Sequence, residues 1–264
     1  MKVITKKILF EVIFCLSEFF AKLLFKKNVV YIFGTGLVYG PRTMLKAAIR
    51  DLLTSRQIKI KKKLLNKYIN NEGVIMDVGA NIGHTSLFFS KILNKKIHSF
   101  EPYLVNFEYL KKNTKKIKNI HIHNFGLSNK EGELEFGFRP YSLNFENTGQ
   151  ITAIVKHNEK LTKKRISEVF NGDNWVKKNL PSTRISLIKI DVEGMEVLVL
   201  EGLLKTIKKY KPMLIIEYSP LYHNAYFYKE VLMKHYNFYY IKKNKLIEFN
   251  FNSDILVDMF LIPK

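Results

Sequence analysis

The sequence predicts an α/β protein: a doubly wound, mostly parallel seven-stranded sheet with an N-terminal helical extension. From Gly73 onward, short apolar runs of strand length alternate with helical stretches, the order that produces parallel pairing through right-handed crossovers. The first run ends in a glycine turn, Asp77-Val-Gly-Ala-Asn-Ile-Gly83, where chain reversal and close backbone approach need residues without a Cβ. The final apolar runs follow one another without a full helix between them, which places an antiparallel edge on the parallel sheet.

The elements follow in chain order. Residues 8–25 are strongly apolar, yet Glu11, Glu18 and Lys22 interrupt them, and the uncharged stretch 12–17 is far short of the ~20 residues a transmembrane helix needs. It is also too short for the ~7–15-residue core of a signal peptide. At 100° per residue Lys7, Glu11, Glu18, Lys22 and Lys26 share one side, while Ile8, Ile13, Leu16, Phe19, Phe20, Leu23 and Leu24 fall mostly on the other. This is an amphipathic helix. Packing onto the main domain is the favoured reading, and a membrane surface or a partner's groove is the alternative. Gly34, Gly36, Gly40 and Pro41 mark the break that follows. A second helix is expected over 43–68, with the lysines of 59–63 as its solvated side. The extension is therefore assigned to residues 1–70 and the α/β domain to 71–264.

Within the domain the strand at 74–78 leads to a helix over 84–93, and the strand at 97–100 to a helix over 106–116. The strand at 120–123 is followed by an intervening region. The strand at 185–190 then leads to a helix over 196–208, and the strand at 213–217 to a helix over 221–235. Strands at 238–241 and 255–261 close the chain, with 245–249 as a hairpin partner of the first.

Composition bounds the function. The 264 residues, 47% hydrophobic and 13% aromatic, can bury enough apolar surface to offset ordering entropy, which excludes disorder as the main state. Cys15 is the only cysteine, so an intrachain disulfide and a cysteine-based zinc module are excluded and a reducing cytoplasm is the expected setting. The net charge is +21, but only six of the 44 basic residues are arginine. Bidentate phosphate contacts favour arginine, so scattered lysine is weak evidence for a nucleic-acid partner.

Ligands of an open α/β sheet sit beyond the carboxyl ends of its strands. At the first such end Gly79 and Gly83 lack the spacing of dinucleotide enzymes, and Asp77 places a carboxylate where a ligand ammonium could be held. Glu101 follows the second strand, 18 residues after Gly83, near the ~20-residue interval at which an acidic residue takes ribose hydroxyls. Together they point to a nucleoside ligand. In Leu187-Ile-Lys-Ile-Asp-Val-Glu-Gly-Met-Glu196 the alternation sends Lys189, Asp191 and Glu193 to one side of an apolar strand, where charge is costly unless it is used. Glu217 ends the next strand in the same way. His121 and His123 share a strand face but lack a third ligand at metal-site spacing, and no metal is assigned. His223 is an alternative base near Glu217. Trp175 lies in a polar segment that could cover a substrate, with packing the favoured role.

These motifs, with Phe100-Glu-Pro102, Asn124-Phe-Gly-Leu-Ser128, Lys189-Ile-Asp-Val-Glu-Gly194 and Ile215-Ile-Glu217, resemble the FkbM family of S-adenosylmethionine-dependent methyltransferases. The resemblance covers about residues 73–217. It implies the Rossmann-like fold of class I methyltransferases. It also implies that Asp77, Gly79, Asn81 and Gly83 surround the amino-acid end of the cofactor, Glu101 the ribose, and the turn from Asn124 to Ser128 the adenine. Asp191 and Glu193 would then face the transferred methyl. Asp191 is the first choice for taking the acceptor's proton, with Glu193 and Glu217 in support, because burial near like charges raises a carboxylate's pKa. The implied acceptor is a hydroxyl of a sugar, glycan, glycolipid or small molecule. Two rival readings are an RNA methyltransferase using the lysines of 111–118 and 205–211, and a catalytically inactive nucleoside-binding module.

Overall fold

A computed structural model of the chain describes residues 29–32, 36–39, 55–69, 72–138, 151–153, 162–220, 225–251 and 255–264. The helix expected over 8–25 and the first part of that expected over 43–68 lie outside the described residues. Strands β1 (Val29–Ile32) and β2 (Gly36–Tyr39) pair antiparallel within the segment read from its glycines only as a break, and helix α1 (Ser55–Tyr68) follows.

The strands β3 (Val74–Val78), β4 (Ile97–Phe100), β5 (Ile120–His123), β10 (Ile185–Ile190) and β11 (Met213–Tyr218) form the parallel part of the main sheet. The strands β12 (Tyr236–Lys242), β13 (Lys245–Glu248) and β14 (Val257–Pro263) extend it antiparallel, giving the order β13-β12-β14-β11-β10-β3-β4-β5. The sheet thus has eight strands among the described residues rather than seven. The eighth, β13, joins β12 through the two-residue turn Lys243-Asn244, whose φ values of 47° and 63° are those a tight hairpin needs.

Helices cover both faces. Every residue of β3 and β10 is buried, and their period-two alternation sends Val74, Met76, Val78, Ile188 and Ile190 to one side. There they meet α4 (Gly172–Asn179), α5 (Glu196–Gly202) and α6 (Leu204–Tyr210). Ile75 and Leu187 face the other side, with Leu64 and Leu65 of α1 and Phe89 of α2 (His84–Ile92). Helix α3 (Leu104–Thr114) places Leu110 beneath the glycine turn, where a Cβ on Gly83 would lie 2.7 Å from Leu110 Cδ1. The helix expected over 221–235 is, in its described part, a turn of α-helix at Ala225–Phe227 followed by a π-helical turn at Tyr228–Leu232, which buries both Tyr228 and Leu232. Among the described residues no helix is long and apolar enough to cross a membrane.

The intervening region forms a second sheet of order β6-β9-β7-β8, from β6 (Gly126–Ser128), β7 (Gly132–Phe138), β8 (Ile151–Thr152) and β9 (Thr162–Asn171). Its Phe136 and Val169 pack with Tyr103 and Met195, residues that follow β4 and β10 in the chain. The small sheet therefore touches two of the loops at the carboxyl edge of the large one.

Trp175 belongs to α4 and is buried edge-on against Phe100, His123 and His98, with ring centroids 4.8, 5.1 and 5.5 Å away, so packing is its role. His98 Nδ1 and His123 Nε2 lie 3.1 Å apart, a hydrogen bond that requires one of the two nitrogens to be unprotonated. Burial first, and then neighbouring histidines, push each pKa down to about 4. A histidine depressed below its ordinary 6.5 contributes stability above that pH, and the contribution is lost as pH falls through 4. The stability of the wild type against urea should therefore fall as pH is lowered from 6.5 to 4, and His98→Phe should reduce that slope. An equal slope in both chains would show that the pair does not titrate on unfolding.

Candidate active site

The site is built where β3 and β10 end side by side. Asp191 N donates to Val78 O at 3.1 Å, and Gly79, at φ +79°, presses so closely that a Cβ there would lie 1.9 Å from Asp191 O. Only glycine fits both the left-handed backbone and the contact. The next turn residue, Asn81, is also left-handed at φ 51° although it has a side chain. Its strained backbone is held by Glu101, whose Oε2 accepts from Asn81 N at 2.8 Å while Oε1 accepts from Tyr103 N at 3.0 Å. The carboxylate of Glu101 thus joins the glycine turn to the start of α3.

Burial raises the Glu101 pKa to about 7, against the opposing effect of the Tyr103 and Asn81 amides. The Asn106 side chain is a third hydrogen-bond donor to this carboxylate, whose roughly four lone-pair sites then leave room for a hydroxyl such as one of a ribose. Asn124 Nδ2 donates to Glu101 O at 2.9 Å and Pro102 O at 3.3 Å, so the turn after β5 is fastened to the same segment.

Asp77 is fully buried, and the ammonium it faces is the chain's own. Lys189 Nζ stands 3.6 Å from Asp77 Oδ1, an oxygen with no hydrogen-bond partner, and Ser86 Oγ donates to Oδ2 at 2.5 Å. Lys189 Nζ is also 3.2 Å from Asp191 Oδ2 and donates to Gly79 O at 3.1 Å. Burial alone would lower the Lys189 pKa, but Asp191 and Asp77 outweigh it and hold it above the ordinary lysine value.

Carboxylate oxygens of Asp191, Glu193 and Glu217 all lie within 4.8 Å of one another. Glu193 is left-handed at φ 53°, and the bend around it is held on both sides. Thr152 Oγ1 of the small sheet donates to Glu193 O at 2.9 Å, while the buried Glu196 carboxylate accepts from Val192 N at 2.8 Å and Gly194 N at 3.0 Å. Asp258, opposite Glu217 in the β11–β14 register, adds negative charge and pairs with Lys61 of α1 at 2.8 Å. Burial first, then Asp191, Glu193, Glu196 and Asp258, push the Glu217 pKa up to about 9. Burial likewise raises Asp191, with Lys189 opposing it. Mutual repulsion and burial thus favour the neutral form of Glu217, and Lys189 supplies a countercharge at Asp191.

The structure thus brings Asp77, Gly79, Asn81, Glu101, Asp191, Glu193 and Glu217 to one edge. Gly83 lies behind the turn, against Leu110. Ser128 stands apart: it is fully buried, and its carbonyl packs where a Cβ on Gly202 would lie 1.9 Å away. His223 lies outside the described residues. Ser86, Thr152 and Asp258 had no sequence signal as site residues, because each reaches the site only through tertiary contact, whereas Glu196 stands within the Leu187–Glu196 motif and acts locally, on amides two and four residues before it.

Residues 77–240 match a family model described as a methyltransferase FkbM domain. The hexuronic acid methyltransferase AglP of Haloferax volcanii is 31% identical over 157 residues, which cover 59% of each chain, so the match spans about six-tenths of that relative's length. The solved structure of methyltransferase FkbM from Methylobacillus flagellatus KT has a TM-score of 0.47 at 16% identity, over 72% of this chain and 44% of its own. An rRNA methylase from Streptococcus thermophilus has a TM-score of 0.45 at 12% identity, over 78% of this chain and 96% of its own.

The raised pKa of Glu217 has a testable cost. Its stabilising contribution is complete below the unfolded value near 4.5 and is lost as pH rises through 9. Glu217→Gln, which stays neutral, should gain stability relative to wild type as urea unfolding is moved from pH 5 to pH 9. A constant difference across that range would show that Glu217 is not the strained acid.

Proposed function

The chain belongs to the FkbM methyltransferase family, and we propose that it transfers a methyl group from S-adenosylmethionine to a hydroxyl of a sugar, glycan, glycolipid or small molecule. One observation carries the reading: the glycine turn and Glu101 meet the carboxylates of Asp191, Glu193 and Glu217 at a single sheet edge. The turn and Glu101 have the chemistry for a nucleoside, and the three carboxylates that for a hydroxyl that must lose a proton. The name of the AglP relative supports a sugar-derived acceptor.

Glu101 would hold the ribose hydroxyls, and the turn from Gly79 to Asn81 would take the amino-acid end of the cofactor. The donor set fits, since the buried Glu101 carboxylate keeps acceptor capacity for a hydroxyl after its bonds to the Asn81 and Tyr103 amides and the Asn106 side chain. When bound, S-adenosylmethionine supplies the methyl as part of a sulfonium, so the protein has mainly to align a nucleophile and receive its proton. Asp191, whose Oδ2 lies 3.2 Å from the Lys189 ammonium that opposes the upward push of burial on its pKa, is the carboxylate of the cluster with a countercharge beside it and takes the hydroxyl proton. Glu217, whose pKa is pushed up to about 9, is held toward its neutral form and does not accept that proton first. Glu193 lies between these roles and orients the hydroxyl.

Calorimetry with S-adenosylhomocysteine tests the nucleoside half. Affinity should rise from pH 6 to pH 8 as Glu101 ionises, and Glu101→Gln should flatten that rise and weaken binding by ~1–3 kcal/mol. Unchanged affinity removes Glu101 from the site. For the transfer half, Asp191→Asn should lower single-turnover methylation ~10²–10⁴-fold while the protein still binds the cofactor product. The acceptors to be screened are free sugars, lipid-linked glycans and RNA. Methylation of RNA alone would replace the hydroxyl-of-a-sugar reading.

A further inference from the structure

We propose that Lys189 is a positioning residue: its ammonium binds the carboxylate of Asp191 to the glycine turn that receives the cofactor, so the two halves of the site adopt one arrangement together. The inference rests on the methyltransferase reading and adds a residue that touches neither cofactor nor acceptor.

Lys189 is 8% exposed in a strand whose other residues, Ser186 apart, are apolar. Burying an ammonium is expensive, and an apolar side chain of the same length would fill the space at lower cost. The cost has a return only in what the ammonium holds. The β10–β3 register sets Lys189 opposite Asp77, and the strand period brings Asp191, two residues on, to the same face. The ammonium, with three protons to donate, therefore lies among Gly79 O at 3.1 Å, Asp191 Oδ2 at 3.2 Å and Asp77 Oδ1 at 3.6 Å. Two of these acceptors belong to the cofactor strand and its turn, and the third is the proposed proton acceptor.

The charges around this point give the arrangement its direction. Asp77, Asp191 and Asp258 act on Lys189, while Lys189, Asp258, Glu196 and Glu217 act on Asp191. One ammonium between two carboxylates leaves one net negative charge. Asp77 is fully enclosed, whereas the Asp191 side chain is 38% exposed, so the reactive charge is carried at Asp191. With Oδ2 engaged by Lys189, Oδ1 of Asp191 is the oxygen left to meet an acceptor. A movement of the glycine turn displaces Gly79 O and Asp77, and through the ammonium it displaces Asp191.

The test is a ¹³C-carboxyl NMR titration of the full chain without cofactor, with the Asp191 signal assigned through Asp191→Asn. Lys189→Met should move the Asp191 midpoint up by ~1–3 pH units, the usual influence of an opposite charge at this range, and Lys189→Arg should largely restore it. Lys189→Met alone strands the Asp77 charge in the core, so the double variant Asp77→Asn/Lys189→Met removes that charge and keeps the comparison in a folded protein. Addition of S-adenosylhomocysteine should shift the Asp191 signal in the wild type and leave it in place in the double variant. An unchanged midpoint in the folded double variant overturns the proposal, as does an equal response to the cofactor product in both chains. Failure of the wild type to bind S-adenosylhomocysteine would defeat the methyltransferase reading instead, while the titration without cofactor would still decide the role of Lys189.

Discussion

The structure depends on the contact between the ends of β3 and β10. Two backbones meet there with no room for a Cβ, since Gly79 lies against Asp191 O. The amide of Asp191 continues the sheet one residue further by donating to Val78 O. This approach sets Asp191 beside the turn rather than a side chain's length away, while on the other side of β3 the amides of Gly79 and Ala80 donate to Phe100 O and keep the turn within reach of Glu101. A tightly packed junction of this kind is rigid, and rigidity is what a reaction limited by alignment requires.

Charge at this junction runs opposite to charge on the molecule. The chain carries +21 overall, yet Asp191, Glu193, Glu196, Glu217 and Asp258 gather at the sheet edge. Screening by water and salt weakens the distant lysines, whereas Asp191, Glu193 and Glu217, half-buried and within 4.8 Å of one another, act on each other at close range through a medium of lower dielectric than water. The local acidity therefore dominates at the site and drives Glu217 toward its neutral form, while Lys189 favours the ionised form of Asp191. Similar side chains acquire different chemical roles from their surroundings.

The second sheet supplies the other restraint. Thr152 holds Glu193 O, Ser167 Oγ donates to Pro102 O at 2.6 Å, and Tyr103 OH donates to Lys163 O at 2.9 Å. Those contacts fasten the segments after β4 and β10 to one small scaffold. Glu193, in a left-handed backbone that a side chain rarely adopts, needs such support from outside its own turn.

The sequence by itself determined the alternation of strands and helices, the buried central strands, the antiparallel edge and the carboxyl-edge motifs. Each of these is written in local periodicity or in residues a few positions apart. It also put Lys189, Asp191 and Glu193 on one side of a strand, because the period of two is a property of the backbone. Only the tertiary structure decided what those side chains meet. Asp77 looked like the holder of a ligand ammonium, and strand register placed the Lys189 ammonium against it instead. Ser128 lay in a recognisable turn, and the packing of α5 enclosed it. Residues 132–171 read as an intervening region because their pairing joins β7 to β9 across a long separation and β6 to β9 in parallel, contacts that no short-range pattern encodes. Periodicity carries the face on which a residue lies, while register and crossover geometry, set by the whole packed sheet, determine its partner.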